Sequence, residues 1–155
     1  MDKIKISPKV YNIIRNIMLI IIAILFVAIM RTLFKPTLIS GTSMEPTYHQ
    51  DQYVIGHWFL NVDRFDVMVI DVGDKELIKR VVGLPNETIE FKDNVLYVNG
   101  NIIEDTYANG STEDFTITLG PDEYFCMGDN REHSIDSRYY GTFTYKSFNA
   151  KMNWS

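Results

Sequence analysis

Ser43 and Lys79 are the two residues of this chain whose types and settings together could hydrolyse an amide bond. Ser43 lies in Ser40-Gly-Thr-Ser-Met-Glu-Pro-Thr47, and Lys79 opens Lys79-Arg-Val-Val-Gly-Leu-Pro85. A serine hydroxyl is a weak nucleophile until a base takes its proton, and a neutral lysine amine is such a base where its surroundings disfavour the charged form. An exposed lysine titrates near 10.4 and leaves about one amine in a few thousand neutral at pH 7, so the site must lower that value by roughly 2 to 3 units. Burial is the expected means. Lys79 stands in the alternating run Leu77-Ile-Lys-Arg-Val-Val82, which turns its amine toward apolar neighbours and leaves Arg80 on the opposite face. Lys75, in the polar turn Gly73-Asp-Lys-Glu76, lacks that setting.

Other chemistries find less support. His49, His57 and His133 would be needed for a conventional serine triad, but no Gly-x-Ser-x-Gly turn surrounds Ser43. Cys126 is the only cysteine, so no internal disulfide forms, and its place in Tyr124-Phe-Cys-Met127 is that of a core residue. No paired Cys/His spacing for a structural zinc site is present, so neither a metal nor an organic cofactor is expected.

The elements that would position the pair fall into two parts. Residues 17–30 contain no polar side chain, and apolar residues on both sides extend them into a helix able to span a bilayer. Arg31, Lys35 and Pro36 close this segment where a small-x-small cleavage site would otherwise stand, so we expect an uncleaved anchor over residues 12–34. Lys3, Lys5, Lys9 and Arg15 precede the apolar run 17–30 and Arg31 and Lys35 follow it, a bias expected to place residues 1–11 in the cytoplasm and residues 36–155 outside. The formal net charge is −5. Its acids are concentrated after residue 35, and an acidic domain argues against nucleic acid as a partner.

Beyond Pro36 the helical period gives way to short β-branched and aromatic runs: Tyr53 to Ile55, Phe65 to Ile70, Leu77 to Val82, Thr88 to Phe91, Val95 to Val98, Phe115 to Leu119 and Tyr124 to Met127. The expected fold is mainly β, an antiparallel β domain carried by one N-terminal transmembrane helix. Asn99-Gly100 between apolar runs predicts a two-residue hairpin, and Asn109-Gly110 a second turn. The polar stretch from Glu104 to Asp114 is expected to be a mobile loop. Trp58, Phe59 and Leu60 suggest a tip that dips into the lipid interface.

Four blocks occur in order: Gly41-Thr-Ser-Met-Glu-Pro-Thr47, Arg64-Phe-Asp-Val-Met-Val-Ile70, Lys79-Arg-Val-Val-Gly-Leu-Pro85 and Met127-Gly-Asp-Asn-Arg-Glu-His-Ser-Ile-Asp-Ser-Arg138. Together they resemble the type I signal peptidases, and the compact length and single span are similar to the smaller, Gram-positive-like bacterial members. The resemblance implies a signal-peptidase-like fold and a membrane-bound Ser-Lys endopeptidase that removes signal peptides from exported precursors. It implies that Ser43 is the nucleophile, that Lys79 is the base, and that Ser134 orients Lys79. Asp136 and Arg138 would form a supporting ion pair that pins the Ser134 loop.

The backbone N–H of Ser43 would serve the oxyanion hole; the second donor stays open, with Gly41 two positions before Ser43 and Thr42 and Ser40 nearby. The family's preference for small side chains near the cut implies shallow apolar pockets, and Met44, Leu77 and Ile78 are the wall candidates. The family usually has Gly-Asp where this chain has Asn86-Glu87. The implied partners are signal-peptide-bearing precursors and membrane lipid. An alternative is a noncatalytic membrane-held assembly factor or chaperone that uses the same groove, against which the intact Ser43 and Lys79 argue. A self-cleaving regulator of the related Ser-Lys fold would need a DNA-binding module that residues 1–35 do not offer.

Overall fold

The computed structural model describes residues 7–58 and 61–152, and the chain divides into an N-terminal helix and a β domain that starts at Lys35. Helix α1 spans Pro8–Leu33. Ser7 caps it by accepting from the Val10 N–H, and Pro8 occupies the first helical position, where a missing N–H costs nothing. Its 26 residues make a rod about 39 Å long at 1.5 Å per residue, enough to cross a hydrocarbon core. None of its side chains is buried by protein. An apolar surface of that extent is stable only against lipid or another apolar partner.

Among the described residues the β domain has ten strands in two antiparallel sheets. They are β1 (Phe34–Leu38), β2 (Tyr53–His57), β3 (Val67–Asp71), β4 (Glu76–Gly83), β5 (Thr88–Lys92), β6 (Val95–Val98), β7 (Asn101–Ile103), β8 (Phe115–Thr118), β9 (Phe125–Met127) and β10 (Phe148–Met152). One sheet has the order β1-β2-β10-β3-β4-β9 and the other β7-β6-β5-β8. The seven predicted runs all appear as strands, with ends shifted by up to two residues. Phe65 is outside its strand because its φ of 69° lies in the left-handed region. β1 and β10 had no counterpart in the sequence reading.

β3 is buried on both faces. Val67 and Val69 pack with Ile39, Met44 and Met152, whereas Met68 and Ile70 pack with Val81, Cys126 and Phe148. Period-2 alternation therefore feeds two cores from one strand. β4 pairs with β3 (Met68 with Lys79, Val67 with Arg80) and with β9 (Arg80 with Met127, Val81 with Cys126). The predicted hairpin joins β6 to β7, with Asn99 at φ 51° and Gly100 at φ 79°, the paired left-handed conformations that a tight antiparallel connection requires.

The stretch from Glu104 to Asp114 departs from expectation, because it is tied down along its length. Asp105 makes an ion pair with Arg131, Tyr107 lies 3.6 Å over the Arg80 guanidinium, and Asn109 bridges to Asn130. Ser111 binds Glu132, and the Thr112 N–H donates to Asn94. Its polarity satisfies partners in the domain instead of solvent.

Candidate active site

Ser43 sits in the loop between β1 and β2, two residues after Gly41, whose φ of 89° bends the chain at a cost that a side chain would raise. Met44, only 1% exposed, plugs the loop into the core, and the Tyr48 N–H donates to the Met44 carbonyl at 3.0 Å. Ser43 itself stays half-buried at the surface. Lys79, 3% exposed, projects from β4 on the Met68 and Val81 face, and its Nζ donates to Ser43 Oγ at 2.7 Å and to the Ile78 carbonyl at 2.9 Å. Burial pushes the amine down to about 8 from an ordinary 10.5, against the opposing pull of Asp136 and Asp129. About one such amine in ten is then neutral at pH 7.

The segment after β9 holds the serine loop in place. The Asn130 N–H donates to the Ser43 carbonyl at 3.0 Å, and Asn130 Nδ2 to the Thr42 carbonyl at 3.1 Å. Thr47 Oγ1 donates to Asp129 at 2.5 Å. Gly128 makes the close approach possible, since a Cβ there would strike the Ser134 hydroxyl and the Ser43 carbonyl.

Asp136 organises the same segment. It accepts from Ser134 Oγ at 2.7 Å, from the Gly128 N–H at 2.9 Å and from both Nε and Nη2 of Arg138 at 2.9 Å. Burial alone would raise its pKa; the hydrogen bonds from Arg138, Gly128 and Ser134 prevail and hold it below the usual carboxylate range. Ser134 therefore spends its proton on Asp136. Lys79 makes no hydrogen bond to Ser134 among the described residues, where the sequence reading had Ser134 orienting it.

A small pocket of about 140 Å³ opens beside the pair, between Thr37–Ser40 and Glu76–Lys79. Met44, Leu77 and Ile78 all border it. Their side chains differ in direction, because Ile78 packs toward Ile39 and Met44 while Leu77 packs on the opposite face near Phe148. The histidines bind elsewhere: His49 faces Glu45, His57 the Trp58 carbonyl and His133 Asn130. Cys126 is fully buried, and burial lifts its thiol far above the ordinary range. Among the described residues no cluster of three or more His, Cys, Asp or Glu could hold a metal ion.

Comparison with known proteins decides what this geometry belongs to. The signal peptidase family, peptidase S26, matches residues 13–155. The chain belongs to that family. It is 36% identical over 138 residues to signal peptidase I of Bacillus licheniformis, covering 77% of this chain and 74% of that protein. To signal peptidase I P of Bacillus subtilis subsp. natto it is 37% identical over 149 residues, covering 84% and 80%. A crystal structure of a signal peptidase I from Enterococcus faecalis V583 superposes with a TM-score of 0.57 at 31% identity, covering 62% of this chain and all of that one. As a signal peptidase I, the chain is a serine peptidase that cleaves signal peptides from exported preproteins.

Sequence reasoning missed one structural feature of this family member. Arg80 does point away from Lys79, but it is 2% exposed and paired through Nε and Nη2 with both oxygens of Asp129, at 2.8 and 2.7 Å. It also donates to the Phe65 carbonyl at 2.8 Å and to Thr47. The serine loop and the lysine strand thus meet at one buried ion pair. The signal was present in Gly128-Asp129-Asn130, inside the most specific block, but nothing local names its partner 49 residues away. The departure at Asn86-Glu87 also has a physical reading. Asn86 takes φ 65°, which asparagine tolerates better than other non-glycine residues, and Glu87 caps the Leu84 N–H at 2.7 Å and binds Arg64 at 2.5 Å.

Proposed function

We propose that Ser43 is the nucleophile and Lys79 the general base of this signal peptidase, on the strength of one observation: a buried amine with depressed proton affinity 2.7 Å from the serine hydroxyl. Neutral Lys79 takes the Ser43 proton as Oγ attacks the scissile carbonyl, giving a tetrahedral oxyanion. The resulting ammonium returns that proton to the departing amine, which leaves an ester between Ser43 and the signal peptide. Lys79 then takes a proton from water, the water oxygen attacks the ester, and the proton goes back to Ser43 Oγ. The Ser43 N–H, which donates to no backbone carbonyl among the described residues, is available to the oxyanion.

Substrate binding follows from two incomplete strand edges. β1 is the edge of its sheet, and β4 gains its β9 partner only from Arg80 onward. An extended peptide laid between Thr37–Ser40 and Glu76–Lys79 would complete both edges, and Ile78 would wall a shallow side-chain pocket. Asp136 and Arg138 hold the Gly128 to Ser134 segment against the serine loop. The lysine and arginine bias puts residues 1–11 in the cytoplasm, the span at 12–34 and the β domain from 36 onward outside the cell. Exposed Trp58 is a candidate for lipid contact; Phe59 and Leu60 of the same cluster lie outside the described residues.

The test is cleavage of a precursor by the full chain in detergent. Ser43→Ala and Lys79→Ala should each abolish product, and Lys79→Arg should fail as well because a guanidinium stays protonated. Undiminished cleavage by any of the three overturns that residue's role.

A further inference from the structure

One residue bordering the pocket beside Ser43, Glu76, belongs to a charged pair that the hydrolytic step does not use. Glu76, the first residue of β4, borders the pocket and makes an ion pair with Lys35 of β1. Asn149 Nδ2 donates to the same Glu76 oxygen, Oε1, at 2.8 Å. Among the described residues no hydrogen bond reaches Oε2. Both partners are half-exposed, so the pair adds little to stability as a surface salt bridge. Its placement is informative: it ties together the two strands whose free edges flank the pocket, three residues along β4 from Lys79.

We propose that Lys35 and Glu76 form a clamp on the substrate backbone, holding the N–H and carbonyl of the residue about four before the cut. This rests on the Ser43–Lys79 reading. An extended chain advances about 3.3 Å per residue, so a peptide whose cleaved unit sits at Lys79 reaches Glu76, about 10 Å away, some three residues upstream. A carboxylate and an ammonium side by side match the two backbone polar groups of one residue in an extended chain, whose N–H and C=O face the same side: Glu76 Oε2 accepts the N–H, and Lys35 Nζ donates to the carbonyl. Recognition of this kind is indifferent to side chains. It also marks where the extended segment ends and the apolar part of a signal peptide begins.

The test uses the full chain in detergent with two peptides, one extending ten residues before the cut and one beginning at the third residue before it. Lys35→Ala and Glu76→Ala should each raise KM for the long peptide about fivefold, the worth of one net hydrogen bond. Both should leave kcat unchanged and treat the short peptide as the parent chain does. The exchange Lys35→Glu with Glu76→Lys restores the ion pair but turns an ammonium to the substrate N–H and a carboxylate to its carbonyl, so KM for the long peptide should stay raised. Unchanged KM in the single variants, an equal rise on both peptides, or recovery in the exchange would overturn the clamp. Cleavage by Ser43→Ala would instead overturn the dyad and the clamp with it.

Discussion

Lys79 and Arg80, neighbours on β4, bury their cationic heads on opposite faces of one sheet, and only Arg80 is met there by a carboxylate. Arg80 has Asp129 in bidentate contact; Lys79 has a hydroxyl and a carbonyl. The arginine is therefore held by a carboxylate partner, and the lysine, with none in contact, is left able to lose its charge.

That contrast sets the pH profile. With the Lys79 amine at about 8, its neutral fraction rises from about a tenth at pH 7 to about nine-tenths at pH 9. The value of kcat/KM should climb nearly tenfold over that interval and then level off. A profile flat from pH 6 to 9 would show that no group titrating near 8 governs the reaction.

The same depressed pKa should appear in stability, with a definite sign. Between about pH 8 and 10.5 the unfolded lysine binds a proton that the folded one has released, so stability rises with pH across that window. Below pH 8 the cost of the buried charge is fully present, about 3 kcal/mol. Lys79→Met should therefore be inactive yet more stable than the parent at pH 7 by an amount of that order, and the gap should close above pH 10.5. Urea unfolding at pH 7 and 10.5 measures both.

Arg80 and Asp129 should behave as a unit. Removing one partner leaves an uncompensated charge at 2% or 0% exposure, and Arg80→Met or Asp129→Asn should each cost about 3 to 5 kcal/mol. The double variant should cost much less than the sum, because no orphan remains. Additive losses in denaturant midpoints would show that the two are not coupled.

Gly128→Ala isolates the positioning of the serine loop. The added methyl collides with the Ser134 hydroxyl and the Ser43 carbonyl, so the loops must separate. Cleavage should fall at least about a hundredfold, as misplacement by an ångström can cost, while circular dichroism stays that of the parent. Parent-like activity would show that the two loops need not meet at this distance.

Much of this was legible because it is local. Asn99-Gly100 specifies its own turn through two left-handed residues, and the alternation of Leu77 to Val82 puts Lys79 and Arg80 on separate faces without reference to the rest of the chain. β1 and β10 were not legible for the opposite reason. Lys35 and Pro36 look like a helix stop, and proline is tolerated in β1 because that strand is an edge. Phe148-Asn-Ala-Lys-Met152 has no β-branched residue, yet it lies between β2 and β3 and is held there by pairing on both sides. The loop from Glu104 to Asp114 was misread since polar composition alone does not distinguish side chains that face water from those that face Arg80 and Arg131. The Ser134 role was carried by resemblance, and the geometry supplies Asp136 as its partner instead.

Cys126 has one more bearing, on how the domain withstands oxidants. A thiol that is fully enclosed and held protonated by its surroundings offers neither the thiolate nor the access that oxidants and alkylating agents need. Thiol reagents should therefore leave the protease untouched, and the folded domain needs no reducing environment to stay monothiol and correctly assembled.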